Sequence, residues 1–205
     1  VHHGFADITT LRLLPGMHLM APADAAELGA ALDCALSLDG PSAIRYPRDL
    51  VSPELPGPCP RFEPGRARFL REGADGTFLT YGTMAAPALE AAGALADADG
   101  LEVGVVNARF AKPLDTALLA RLLPGGAPVV TCEDHAAAGG FGAAVLEAAA
   151  ARGFDAGQIR VLGLPDRFVA HATRGEQLAE VGLDPAGLAE SMRDRIAVTR
   201  RPART

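Results

Sequence analysis

Tryptophan is absent from the 205 residues, and aromatic residues make up only 5%. A core must therefore be assembled from Leu, Val, Ile and Ala rather than from large rings. Lysine is almost missing: Lys112 is the single one, and arginine supplies the remaining positive charge. The net charge is −6 and no basic stripe runs along any segment, which excludes a nucleic-acid partner. No apolar run approaches the ~20 residues that span a bilayer, so no membrane partner is expected. The start carries no signal-peptide pattern. Cysteine is also scarce. Cys34, Cys59 and Cys132 are odd in number and far apart, and they form neither a disulfide framework nor a metal-type pair. A reducing, cytoplasmic setting is the expectation.

What is present is ordinary for a globular chain, with 49% hydrophobic and 21% charged residues. The length suits one large domain or two small ones. The chain opens with Val1-His2-His3-Gly4 and not with Met. That opening suggests a piece cut from a longer polypeptide, or a processed one.

The stretch from Ile8 to Met20 reads as a helical turn, a break at Pro15-Gly16, and a short strand from His18 to Ala21. Asp24 is placed to cap a helix running to about Leu36, with Glu27 three residues on to complete a capping box. Leu28, Ala31, Leu32 and Ala35 recur at helical spacing. Asp39-Gly40-Pro41 stops that helix, and Ser42 to Tyr46 is a short strand. Between residues 50 and 64 fall Pro53, Pro56, Pro58, Pro60 and Pro64. Proline removes backbone donors and fixes φ, so this window is neither helix nor central strand but a semi-rigid linker.

After the linker, strands and helices alternate. Strands are expected at Arg66–Arg71, Gly76–Tyr81, Glu102–Asn107, Pro128–Cys132 and Gln158–Leu162. Helices are expected at Ala85–Ala96, Asp115–Leu123, from the Gly139 region to Arg152, and as two acid-capped helices from about Arg174 and from Asp184. Such alternation predicts an α/β fold with a mostly parallel sheet and right-handed crossovers. The division expected is 1–49, a linker at 50–64, a second domain at 65–199, and a tail at 200–205.

Four constellations could carry chemistry. At the start, His2-His3-Gly4 stands near Asp7. Histidine can donate to a phosphate or sugar hydroxyl and move protons near neutrality. Adjacent residues of an extended segment point to opposite sides, so at most one of the two faces a site. The plainer reading is surface or tag histidines. Arg45-Tyr46-Pro47-Arg48 follows a strand. Ligands of open α/β sheets lie beyond the carboxyl ends of strands, and a guanidinium offers forked donors suited to phosphate. The plainer reading is structural ion pairing by one or both arginines. Glu133-Asp134-His135 comes next, just after an expected strand, followed by Gly139-Gly140-Phe141-Gly142 opening a helix. A glycine-rich helix start can cradle an anion. The spacing matches neither the P-loop nor the dinucleotide fingerprint, and nearby carboxylates repel phosphate. Close packing at the helix start is the stronger reading. Last, Gly163-Leu164-Pro165-Asp166 ends a strand, with Phe168 and His171 beyond it, and a structural role is the default there.

Taken in order, these motifs resemble one family. His2-His3-Gly4 with Asp7-Ile8, Pro15-Gly16-Met17, Met20-Ala21-Pro22 and the run from Asp39 to Arg48 are similar to the later pyrimidine-binding domain of the 1-deoxy-D-xylulose-5-phosphate synthase family. The run Ala108 to Asp115, then Glu133-Asp134-His135, Gly139 to Gly142, and Leu162 to Phe168 resemble its transketolase C-terminal domain. Arg-Tyr-Pro-Arg favours the synthases over transketolases and 2-oxoacid dehydrogenase β subunits. Two departures are visible: Val1 stands where Thr is usual, and Ala172 where Gly is common.

The resemblance implies the end of a thiamine-diphosphate pyrimidine-binding domain followed by a C-terminal domain that buttresses a homodimer. It implies a transferase joining pyruvate to D-glyceraldehyde 3-phosphate with loss of CO2, on the route to isoprenoids, thiamine and pyridoxal. Thiamine diphosphate and Mg2+ would be held mainly by residues upstream of Val1, so this chain by itself would be inactive without that N-terminal part. By the same resemblance His2 lies at the substrate pocket as the catalytic histidine, and Arg48 binds the acceptor phosphate. Competing readings are a transketolase or a dehydrogenase β-type subunit, and a non-catalytic dimerisation module.

Overall fold

The computed structural model describes residues 4–200. Its N-terminal part begins with helix α1 (Asp7–Arg12), strand β1 (His18–Met20), helix α2 (Ala25–Leu36) and strand β2 (Ser42–Ile44). The Asp24 carboxylate accepts the Glu27 N–H at 2.7 Å and so starts α2. The expected capping box is altered. Glu27 reaches back past Asp24 and accepts the Ala23 N–H at 3.0 Å. β1 and β2 run parallel.

The following strands are β3 (Arg68–Arg71), β4 (Gly76–Thr80), β5 (Val103–Asn107), β6 (Phe110–Lys112), β7 (Val129–Ala136) and β8 (Ile159–Leu164). The helices are α3 (Ala85–Asp99), α4 (Thr116–Leu122), α5 (Phe141–Ala151), α6 (Arg174–Glu180) and α7 (Pro185–Thr199). A five-stranded sheet has the order β3-β5-β4-β7-β8. Only its edge strand β3 is antiparallel to its neighbour; the remaining pairs are parallel. The expectation of a mostly parallel α/β sheet matches this topology.

Side chains alternate across the sheet, so adjacent residues serve different cores. Leu79, Val106 and Val129 join Phe141 and Val145 of α5 and Leu118 and Leu119 of α4. Phe78, Val105 and Val130 join Ala88, Ala92 and Leu95 of α3 and Met192 and Ile196 of α7. The result is three layers, helices on both faces of the sheet. The alanine-rich face of α3 lets α7 approach closely where bulky rings are absent.

β2 ends at Ile44, two residues short of the expected Tyr46, β8 runs two residues further to Leu164, and three elements differ in kind. β7 does not stop at Cys132 but runs to Ala136, so Glu133, Asp134 and His135 lie within the strand. α6 is capped by Thr173 in a capping box with Glu176, not by an acidic residue. β6 was not expected as a strand. It leaves the second part of the chain and pairs antiparallel with β1, giving a three-stranded sheet ordered β2-β1-β6. Ile8, Leu19 and Ala21 of the N-terminal part enter the larger core beside Leu79 and Phe141. The two parts are thus joined by hydrogen bonds and by shared apolar packing.

Candidate functional site

Two ionic junctions join the N-terminal part to the rest of the chain. The inner one centres on Glu27, which is fully buried with Arg109 and Arg68. Glu27 Oε1 accepts from Arg109 Nε at 3.0 Å and from Arg68 Nη1 at 3.2 Å. Its Oε2 accepts from Asn107 Nδ2 at 2.8 Å. The proline-rich window supplies acceptors for the remaining N–H groups. Arg68 Nη2 donates to the carbonyls of Pro56 and Gly57, each at 3.1 Å. Arg109 donates to the carbonyls of Pro60 at 3.0 Å and Arg61 at 3.2 Å, and its guanidinium lies 4.3 Å from the Phe62 ring centroid. Proline has a carbonyl but no N–H, so a segment rich in it is a natural lid for buried guanidiniums. Every strong acceptor of this junction is occupied from within, which leaves it no capacity for a ligand.

The outer junction lies where β2 and β7 end. Arg45, the first residue after β2, donates from Nη1 to Asp134 Oδ1 at 2.5 Å and from Nη2 to the Asp134 carbonyl at 2.9 Å. Arg174, at the start of α6, donates from Nη2 to Asp134 Oδ2 at 3.0 Å and to Thr83 Oγ1 at 3.0 Å. Its Nη1 also stands 4.0 Å from Asp49 Oδ2. Burial disfavours the charge on Asp134, but Arg45 and Arg174 outweigh it and hold the carboxyl below its usual range. Beside this chain of charges opens a cavity of about 350 Å³, lined by Gly4, Asp7, Arg45, Arg48, Asp134 and Arg174 among others. Three guanidiniums there face two carboxylates, which favours an anionic occupant.

Of the two arginines of the Arg-Tyr-Pro-Arg run, Arg45 is the structural one. Arg48 is exposed at the cavity and makes no hydrogen bond or ion pair among the described residues. His2 and His3 lie outside the described residues, though Gly4 and Asp7 close behind them line the cavity.

Glu133 and His135 flank Asp134 and face the opposite way. Glu133 Oε2 accepts the Phe141 N–H at 2.6 Å, and its Oε1 accepts the Gly142 N–H at 2.8 Å. A Cβ on Gly140 would stand 2.2 Å from the Glu133 carboxylate, and one on Gly142 2.5 Å from Thr131 Oγ1. The glycines therefore permit close packing, and the helix start is filled by the chain's own carboxylate. Burial pushes the Glu133 carboxyl up to about 7 against the pull of those two N–H groups. The His135 ring accepts the Ile8 N–H on Nε2 at 3.0 Å, and its Nδ1 lies 3.0 Å from the Ala136 carbonyl. This geometry requires a neutral ring with its proton on Nδ1. Burial holds its pKa below the usual value, consistent with that state.

Of the fourth constellation, Pro165, Asp166 and Phe168 line an adjoining apolar cavity of about 500 Å³, which shares Leu164 and Val169 with the first. His171 is exposed. Among the described residues no group of three or more His, Cys, Asp or Glu could hold a metal ion, and no helix is long and apolar enough to cross a membrane. The sequence offers Asp134 as one of two adjacent carboxylates and Arg174 as the start of a helix. Their pairing has no local signal, because 40 residues separate them.

Comparison with known proteins adds the following. The family "Transketolase, pyrimidine binding domain" matches residues 1–53, and "Transketolase, C-terminal domain" matches residues 65–188. A 1-deoxy-D-xylulose-5-phosphate synthase of Rhodopirellula baltica is 44% identical over 193 residues, covering 94% of this chain and 30% of the relative. A synthase of the same name from Thermus thermophilus is 43% identical over 191 residues, 93% of this chain and 30% of the relative. The chain thus spans a little under a third of the length of these curated relatives. Among solved structures, one described as split gene transketolase, inactive beta4 tetramer, superposes with a TM-score of 0.84 at 33% identity, over 96% of this chain and 63% of the other. Transketolase from Leishmania mexicana superposes with a TM-score of 0.74 at 19% identity, over 98% of this chain and 28% of the other, a likeness of fold alone.

Proposed function

The chain belongs to the transketolase family, and on that premise we propose that it is the later part of a 1-deoxy-D-xylulose-5-phosphate synthase. Residues 1–49 finish a pyrimidine-binding domain, 50–64 connect, and 65–199 form the C-terminal domain of a cytoplasmic homodimer. The complete enzyme joins pyruvate to D-glyceraldehyde 3-phosphate with loss of CO2. Thiamine diphosphate, when bound, supplies the carbanion chemistry. The described residues do not themselves fit the diphosphate and Mg2+: the glycine-rich start of α5 is filled by Glu133, and no carboxylate cluster is present among them. Those groups fall to the upstream region.

One observation carries the reading. Among the described residues Arg48 presents an unpaired guanidinium at a strand exit, while Arg45, three residues earlier, is engaged by Asp134. A phosphate dianion calls for a forked, permanently charged donor of this kind. Arg48 anchors the acceptor phosphate, and His2 hydrogen-bonds substrate and provides a proton near the acceptor carbonyl. The dominance of synthases among relatives above 40% identity supports this assignment over transketolases and dehydrogenase β subunits.

The test is kinetic. In the complete enzyme carrying this chain, Arg48→Ala raises KM for glyceraldehyde 3-phosphate about 10–100-fold, as expected for losing charge-assisted hydrogen bonds, and leaves KM for pyruvate unchanged. An unchanged acceptor KM sinks the phosphate role. The 205-residue chain alone, given the cofactor, Mg2+ and both substrates, turns nothing over until the upstream region is added.

A further inference from the structure

The outer junction has a feature that ordinary domain docking does not need. Its charges alternate in sequence as Arg45, Asp134, Arg174, Asp49, and the two ends of that chain belong to the same short segment. Arg45 lies three residues before Arg48 and Asp49 one residue after it. The middle members, Asp134 and Arg174, come from β7 and α6 of the C-terminal part. Apart from the Arg45 N–H, which donates to the Met20 carbonyl at 2.8 Å, the segment carrying Arg48 is weakly held. Tyr46 is 61% exposed and Leu50 91% exposed, and among the described residues Asp49 accepts only the Leu50 N–H next to it. Pro47 stiffens the backbone but contributes no donor.

From this we propose that Asp134 and Arg174 form a clamp that positions Arg48, so that the C-terminal part takes part in recognising the phosphorylated acceptor. The proposal rests on the reading of Arg48 as the phosphate anchor. Asp134 is the pivot. One of its oxygens and its backbone carbonyl fix the strand exit through Arg45, and its other oxygen orients Arg174 toward Asp49. Thr83 accepts a second hydrogen bond from Arg174 and sets its direction. A side chain that must meet a phosphate within a few tenths of an ångström gains from having its backbone held on both sides. Asp134 and Arg174 are positioning residues in this account.

The test uses the complete enzyme carrying this chain. Asp134→Asn keeps the shape but removes the charge, and raises acceptor KM about tenfold with kcat and pyruvate KM nearly unchanged. Arg174→Gln, on the more exposed side of the clamp, shifts acceptor KM in the same direction and guards against a folding defect in the first variant. Adding Asp134→Asn to Arg48→Ala produces no further rise, because the clamp acts through Arg48. Lowered thermal stability with an unchanged acceptor KM in both single variants overturns the clamp, as does full additivity in the double variant. If Arg48→Ala itself leaves acceptor KM unchanged, the phosphate reading falls first. If Arg48→Ala raises it and neither clamp variant does, the clamp alone falls.

Discussion

The inner and outer junctions use the same chemistry for different ends. Both place a carboxylate of one part of the chain between guanidiniums, and both join the N-terminal part to the large sheet. In the inner junction Glu27 is wholly buried between Arg68 and Arg109, and the proline-rich window supplies carbonyls to the outward N–H groups. In the outer junction Asp134 satisfies Arg45 and Arg174 beside an open cavity, and Arg48 has no partner among the described residues. A closed ionic cluster has no capacity left for a ligand, so its contribution is to folding. An incomplete one at a cavity keeps unmatched charge available for binding. The number of partners therefore separates the two junctions better than the kind of residue.

The strongest way to break this contrast is Glu27→Gln. It leaves two buried guanidiniums short of negative charge, and a loss of about 3–5 kcal/mol is expected. Chemical denaturation of the chain measures it, and a loss below that of the outer variants would reverse the ranking. Asp134→Asn is next, at about 1–3 kcal/mol, since its charged hydrogen bonds are partly screened by the cavity.

A pH titration probes the strand that carries both Asp134 and its neighbours. His135 is kept neutral by burial, below its usual pKa of 6.5, so its contribution is present above about 6.5 and is lost as pH falls through the folded value. Glu133 works the other way. Raised from 4.5 to about 7, it stabilises the fold at low pH, and that contribution is lost as pH rises through about 7. The two slopes oppose each other in wild type. His135→Gln removes one of them, so the stability difference, variant minus wild type, increases as pH falls from 7 to 5. A difference that stays flat or decreases would mean that His135 is not held neutral. The smallest effect sharpens the lower limit of the comparison. Glu72→Gln breaks the exposed pair with Arg121 and should change stability by less than about 0.5 kcal/mol.

Much of the fold was legible because its signals are local. Asp24, Asp115 and Asp184 each accept an N–H within three residues and start their helices where the pattern predicted. The run Glu102–Asn107 reads as an apolar strand, and Val103–Asn107 is buried throughout, as is its neighbour Gly76–Thr80. Arg48 was legible as a candidate because a strand, a proline and two arginines stand together in five residues. The strand nature of Glu133–His135 was not, since charged residues ordinarily end a buried strand. Here each is neutralised by a partner from another element.

The sequence by itself determined the helices, the strands and the list of charged side chains near strand ends, because capping and periodicity act over a few residues. Only the tertiary structure decided which charges cancel. Arg45 meets Asp134 across 89 residues and Arg109 meets Glu27 across 82, distances over which no local pattern operates. The packing of β6 onto β1 and of α1 against β7 makes those meetings. Once they are made, Arg48 is the guanidinium left over at the cavity among the described residues.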